Sequence, residues 1–359
     1  MTVQQEIAWQ ISEALRLKLT GAQKKKLRKK PTVDAAAYQE YLRGRYHWNN
    51  WTPEGFRRAR EHFERAISLD PAYALAYAGL GDALGALAYY GLLESGDGFP
   101  RSKAAASRAL EIDPEVADAH ASLGLGRLFW DHDWPGAERS FRRAIALNPQ
   151  LARAHALYAL FLITTSRHED ALEQARAAHK LDPLSLMINM TVCWSLHFAG
   201  RHEEAIEETL RALELAPGSE EASNILLNSY EALGRFEDAA RICGTRGCFG
   251  VKSDPEVLLE AYRSRGAEGY WRQRLELLAS APPQPGGLLN YAFAVVHSHL
   301  GEYDRAFDRL ERLVNEKAGG AVFLGTDPCL QKLRGEPRFD ALLKRVGAPT
   351  ASAPHTVST

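Results

Sequence analysis

Five times along the chain a mixed apolar and polar phrase closes on a proline: ERAISLDP, SRALEIDP, RRAIALNP, RAAHKLDP and LRALELAP, ending at Pro71, Pro114, Pro149, Pro183 and Pro217. The spacings are 43, 35, 34 and 34 residues. Proline cannot continue a helix and disfavours helix in the residue before it, so each of these prolines marks a helix end. Small residues keep the same register. Ala66, Ala109, Ala144, Ala178 and Ala212 stand five positions before the prolines, and Ala59, Ala137, Ala171 and Ala205 stand twelve before. Small side chains at a fixed period are what two helices need where they cross closely. Leu80-Gly81 matches Leu123-Gly124, while Gly200 and Gly234, 34 apart, fall between helices as helix-ending glycines do. A period near 34 therefore predicts an all-α, α-α superhelix built from antiparallel helix pairs, with most contacts between neighbouring pairs.

The columns recur together over residues 38 to 240 and resemble the tetratricopeptide repeat. The opening QQEIAWQISEALRLKLTG, the segment AYQEYLRGRYHW and the ending FLGTDPCLQKLRGEPRFDALLKRVG resemble, more narrowly, the tetratricopeptide tail of bacterial multidomain signalling proteins. In such proteins that tail follows a kinase, an adenylate cyclase or a winged-helix regulator, and no such effector is present in this sequence. Two departures stand out: about nine extra residues around GLLESGDGFP, and a decay of the pattern after Ala240 into RICGTRGCFGVKSDP. Periodicity returns in NYAFAVVHSHLGEYDRAFDRLERLV, where Gly301 and Ala306 keep the spacing of Gly234 and Ala239. The expectation is seven to eight helix pairs over residues 34–318, degenerate near 241–284.

The ends read differently. Ile7, Ile11, Leu15 and Leu19 recur at helical spacing, and residues 1–33 are expected to hold an amphipathic helix and a basic linker. That helix has no repeat partner in sequence, so the chain reads as cut from something longer. Residues 319–348 are expected to cap the array, with Leu330, Leu333, Phe339, Leu342 and Leu343 covering the last pair, and residues 349–359 to form a disordered tail.

Charge narrows the partners. Lys+Arg 44 against Asp+Glu 45 leaves a formal net charge of -1, which gives no global field for nucleic acid. The run KKKLRKK (Lys24, Lys25, Lys26, Arg28, Lys29, Lys30) is the local exception. It interleaves no aromatic residue for stacking on bases, so a solvated linker is its reading, and a nucleic-acid-linked regulator is the alternative. No stretch of eighteen apolar residues is present, and a membrane enters only through a missing parent domain; the expected place is the cytoplasm.

Chemistry is sparse. The sequence contains no GxxxxGK[ST], HExxH, GxSxG or GxGxxG, so no catalytic residue, cofactor, metal or small-molecule substrate is expected. Cys243 and Cys248, with four residues between them and a further Cys at 193 and at 329, read as plain thiols. His297 and His299 face different sides of a helix, and His120 and His155, one repeat apart, read as packing residues.

What remains is a surface. Met187, Met190, Trp194 and His197 form one helical stripe. Its equivalents are Arg153, Ala156, Leu160 and Ile163 one unit earlier, and Glu221, Asn224, Asn228 and Glu231 one unit later. The resemblance implies that such stripes line a concave face that binds a partner peptide or protein. Adaptable Met, an anchoring Trp194 and amide-bearing Asn suit that use, and Arg153, Leu160, Met187, Met190, Trp194, His197, Asn224, Asn228 and Glu231 are the candidate contacts. Core packing is the competing reading for Met187 and Met190. His197 is expected to be exposed and to charge as pH falls. The function so read is a non-catalytic interaction module, a scaffold or regulatory tail in bacterial signalling.

Overall fold

The computed structural model describes residues 34–247, 249, 252–282 and 287–348. The stretch through Ile7 to Leu19, the basic run, Cys248 and the final residues lie outside that range. Among the described residues the chain is helical, with no strand. The first pair is α1 (Ala35–Asn49) and α2 (Pro53–Leu69), and the second α3 (Ala74–Tyr89) and α4 (Ser95–Ile112). Next, α5 (Ala117–Gly126) runs into a π-helical turn, Arg127–Asp131, before α6 (Trp134–Leu147). Regular pairs follow: α7 (Ala152–Thr164) with α8 (His168–Leu181), α9 (Leu186–Phe198) with α10 (His202–Leu215), and α11 (Glu220–Ala232) with α12 (Phe236–Thr245). The degenerate region is α13 (Pro255–Ala279), broken at Gly266, where φ is 61°. The last pair is α14 (Leu288–His299) and α15 (Tyr303–Asn315), followed by 3₁₀ turns at Gly319–Phe323 and Pro328–Leu333 and by α16 (Pro337–Val346).

The second helices of the first five pairs stop at Leu69, Ile112, Leu147, Leu181 and Leu215, each two residues before its proline. The small columns are where the helices cross: Ala59, Ala137, Ala171 and Ala205 have no exposed surface at all. Gly124 shows how tight a crossing is, since a Cβ there would stand 2.6 Å from the Phe141 ring. Gly200 and Gly234 serve the other purpose, turning the chain with φ of 74° and 70°, a region that side chains with a Cβ rarely adopt. The extra residues after α3 lengthen α4 to 18 residues and carry Tyr90, Leu92 and Leu93 onto the cluster formed by Trp48, Phe56 and Phe63.

Consecutive helices pack on one another, as a solenoid requires. Some contacts break the nearest-neighbour expectation. The Trp51 side chain, just after α1, reaches Glu221 on α11 across 170 residues of sequence. The 3₁₀ turn Gly319–Phe323 lies against α3, α7 and the π-helical turn. Its Phe323 ring stands 6.4 Å from Phe129, 5.8 Å from Trp194 and 5.6 Å from Phe198. Leu330, Leu333, Phe339 and Leu342 are buried with Phe307 and Leu310 of α15, and Leu343 packs partly buried beside them. The same cluster continues into Phe129, Phe161 and Phe198. The segment after α15 thus covers the last pair and also fills part of the inner wall. The cause is hydrophobic: the π-helical turn, α7 and α9 present the aromatic surface of Phe129, Phe161 and Phe198, which the array alone leaves open to water.

Candidate functional site

Where the first units curl toward α9 and α11, the inner wall encloses a cavity of about 80 Å³. Trp48 and Trp51 come from the end of α1, Tyr89 and Tyr90 from the end of α3, Arg153 and Leu160 from α7, Met187, Met190 and Trp194 from α9, and Glu221 from the first turn of α11. Trp51 adopts φ 48°, a left-handed conformation that a bulky residue seldom takes. Its ring stands edge-on to Trp48 at 5.3 Å and to Phe56 at 5.2 Å. Its indole N–H donates to the Tyr90 hydroxyl at 3.1 Å and to Glu221 Oε2 at 3.4 Å, and Tyr90 donates its own hydroxyl to the same carboxylate oxygen at 3.0 Å.

Glu221 is the unusual group. Among the described residues it has no cationic partner; neutral donors hold it. Burial pushes its carboxyl above the ordinary value, and the Tyr90 hydroxyl with the Trp51 and Trp194 indoles pulls part of the way back. A second acid, Asp82, has the opposite arrangement. It is 2% exposed and paired with Arg153 at 2.6 Å and Arg45 at 3.6 Å, and it accepts a hydrogen bond from Ser122. Arg153 also lies over the Trp48 ring, 5.9 Å from its centroid. Beside the cavity opens a cleft of about 320 Å³, polar where the cavity is apolar, which shares Trp48, Trp51, Arg153 and Met187 with it and adds Arg45, Asn49, Gln150, Asp182 and Ser185.

Of the stripe residues, Arg153, Leu160, Met187, Met190 and Trp194 line this cavity together. The others turn to partners within the chain. Asn224 accepts the Phe249 backbone N–H at 2.9 Å, and Glu231 is buried between Tyr270, at 2.7 Å, and Arg274, at 3.0 Å. Asn228 is half-buried. His197 is 4% exposed, which corrects the expectation of an exposed, titrating imidazole; burial pushes its pKa down to about 3. Its Nδ1 meets Ser229 Oγ at 3.0 Å and its Nε2 lies 3.8 Å from the Cys329 sulfur. Burial also pushes that thiol well up, so the pair is neutral and lacks the thiolate that a nucleophilic cysteine needs. His299 stacks on Trp271 at 4.0 Å, while His297 bonds Glu302, so the two histidines diverge as their spacing implies.

Trp48, Trp51, Tyr89 and Tyr90 were not singled out by the stripe. The one signal that pointed toward them is the insertion after α3, a departure from period placed beside a pair of tyrosines. Among the described residues no helix is long and apolar enough to cross a membrane.

Residues 127–185 match the model of the tetratricopeptide repeat family. No curated protein matches the sequence. Among solved structures, the human IFIT1 dimer with m7Gppp-AAAA is similar at 15% identity over 87% of this chain and 76% of its own, with a TM-score of 0.54. Yeast Tom70 is similar at 14% identity over 88% and 70%, with a TM-score of 0.48. YrrB, a tetratricopeptide protein with an unusual peptide-binding site, is similar at 20% identity over 50% and 88%, with a TM-score of 0.34. The likeness to the human structure is one of fold. Proline-closed periods near 34, alanines at each crossing and the matched central segment agree on a helical array of the tetratricopeptide type, with residues 127–185 the part that matches the family model.

Proposed function

We propose that the chain is a non-catalytic interaction module that lays an extended segment of a partner protein in the polar cleft and seats one cationic side chain of it in the aromatic cavity. The observation that carries this reading is Glu221, a carboxylate walled by aromatic rings and bonded only to neutral donors. Ring faces attract a desolvated cation with up to about 2 kcal/mol, and an unpaired carboxylate adds charge complementarity. Size agrees. A cavity of about 80 Å³ is smaller than the roughly 150 Å³ cavity that takes benzene, so it suits an ammonium or methylammonium head rather than a ring. Arg153, Leu160, Met187, Met190 and Trp194 supply the wall, and Asn49, Gln150 and Ser185 supply hydrogen-bonding groups along the cleft.

The test uses short extended peptides that differ at one position, Lys, trimethyl-lysine or norleucine, with binding read from the fluorescence of the cavity tryptophans. The cationic peptides are expected to bind about tenfold tighter than norleucine, and Glu221→Gln to remove that preference while helical content stays the same. Equal binding of norleucine to the unaltered protein would overturn the reading.

A further inference from the structure

Outside the cavity, three buried side chains of metal-ligating type converge from two distant parts of the chain. His197 comes from the last turn of α9, and Asp327 and Cys329 from the segment between the two 3₁₀ turns and the start of the second. They are 4%, 4% and 8% exposed. One ligand atom from each lies within 4.8 Å of the other two. The histidine nitrogen and the sulfur are 3.8 Å apart, against about 3.5 Å for neighbouring ligands on a tetrahedral zinc with Zn–S near 2.3 Å and Zn–N near 2.0 Å. For the histidine and the cysteine the difference is a few tenths of an ångström, and the Asp327 carboxylate stands within 4.8 Å of both.

We propose that His197, Asp327 and Cys329 bind a divalent zinc-class ion that pins the C-terminal segment to the middle of the array. The groups behind the ligands are arranged as a coordinated ion needs them. His197 Nδ1 meets Ser229 Oγ at 3.0 Å, and the tautomer that donates there presents its Nε2 lone pair to the Cys329 sulfur. The Asp327 carboxylate accepts the Cys329 backbone N–H at 2.8 Å, which holds both ligands of that segment in one orientation. Tyr291 is a hydrogen-bond neighbour of both Asp327 and Cys329, placed to take the fourth position through its oxygen or to hold a water there. Charge balances: a thiolate and a carboxylate together neutralise a 2+ ion, so loading releases the thiol proton, and any carboxyl proton, to solvent and leaves no net charge in a buried site. One nitrogen, one sulfur and one oxygen form a mixed set that suits zinc or cobalt rather than calcium or magnesium, which require all-oxygen shells. Three protein ligands with a fourth place open is a zinc arrangement in its own right.

The experiment titrates cobalt(II) into chelator-treated protein. One equivalent is expected to produce a thiolate-to-metal charge-transfer band and the visible bands of tetrahedral cobalt, zinc to displace them, and either ion to raise the melting temperature. Cys329→Ser, which keeps the side chain's shape, is expected to abolish the charge-transfer band, and Ser229→Ala to weaken uptake about tenfold. Cys243→Ala, at a buried thiol outside the cluster, is expected to leave the spectrum unchanged. No band in the unaltered protein, or a band that persists in Cys329→Ser, overturns the site and returns Cys329 to a plain buried thiol and Asp327 to a turn cap. The cation reading of the cavity stands or falls separately.

Discussion

The inner wall of the superhelix is finished in two ways. Toward the C-terminal side the chain fills it with its own residues: Phe323 packs among Phe129, Trp194 and Phe198, and the neighbouring polar groups meet internal partners. Toward the N-terminal side, between Trp51 and Glu221, it keeps a void, a strained tryptophan and a carboxylate without a cation. Trp194 belongs to both, with Phe323 against its ring and the cavity on its other side. The wall is closed in one place and left open beside an unbalanced charge in another. In the first region packing sets stability; in the second, under the proposed function, stability is given up for a site.

Breaking the filled region should have the largest effect. Phe323→Ala removes an aromatic ring from a shared cluster, at a cost of about 3–5 kcal/mol, and thermal unfolding should show it. Unchanged melting would mean that the segment does not occupy the wall in solution. Ala171→Leu overpacks a crossing with no exposed surface and should cost roughly 1–3 kcal/mol by the same measurement. At the open region the expected sign reverses. Because the folded protein holds the Glu221 carboxyl above its ordinary value, it keeps a proton that the unfolded chain releases. That contribution is complete below the ordinary carboxylate value and is lost as pH rises through the raised one. Glu221→Gln should therefore melt higher than the unaltered protein at neutral pH and flatten this slope, although it binds cationic peptides less well. Melting that is lower at neutral pH would show that the carboxylate is compensated after all. In the unaltered protein, cation binding should tighten with rising pH over the same interval, and the mutant should show no such trend.

Much of the architecture was legible because tetratricopeptide spacing is a local property. Ala171 and Ala205 advertise a crossing, and Pro149 and Pro183 a helix end, from a few neighbouring residues. The stripe rule also brought Arg153, Leu160, Met187, Met190 and Trp194 to one wall, because residues three and four apart share a helix face. It did not reveal where along the stripe the wall is open. His197 and Glu231 obey the same period yet end beside Ser229 and Cys329, or Tyr270 and Arg274, because other segments cover them. The meeting of Trp51 with Glu221 depends on a small rotation per unit summed over several units, which no window of sequence encodes. The metal-type cluster was hidden for a similar reason: residues 197, 327 and 329 make no spacing motif, and only the return of the chain onto its own middle unites them.

That return also bears on how the molecule assembles. A linear array can grow unit by unit behind the ribosome and fray from either end. Here the aromatic surface around Phe129 waits for Phe323, nearly two hundred residues later, to be synthesised. Until then the nascent chain carries an unfinished hydrophobic wall that invites chaperones or aggregation. Once the segment docks, the middle of the array and its C-terminal end share one core, so unfolding is expected to lose the gradual, end-first character of a solenoid over those units and to become more cooperative.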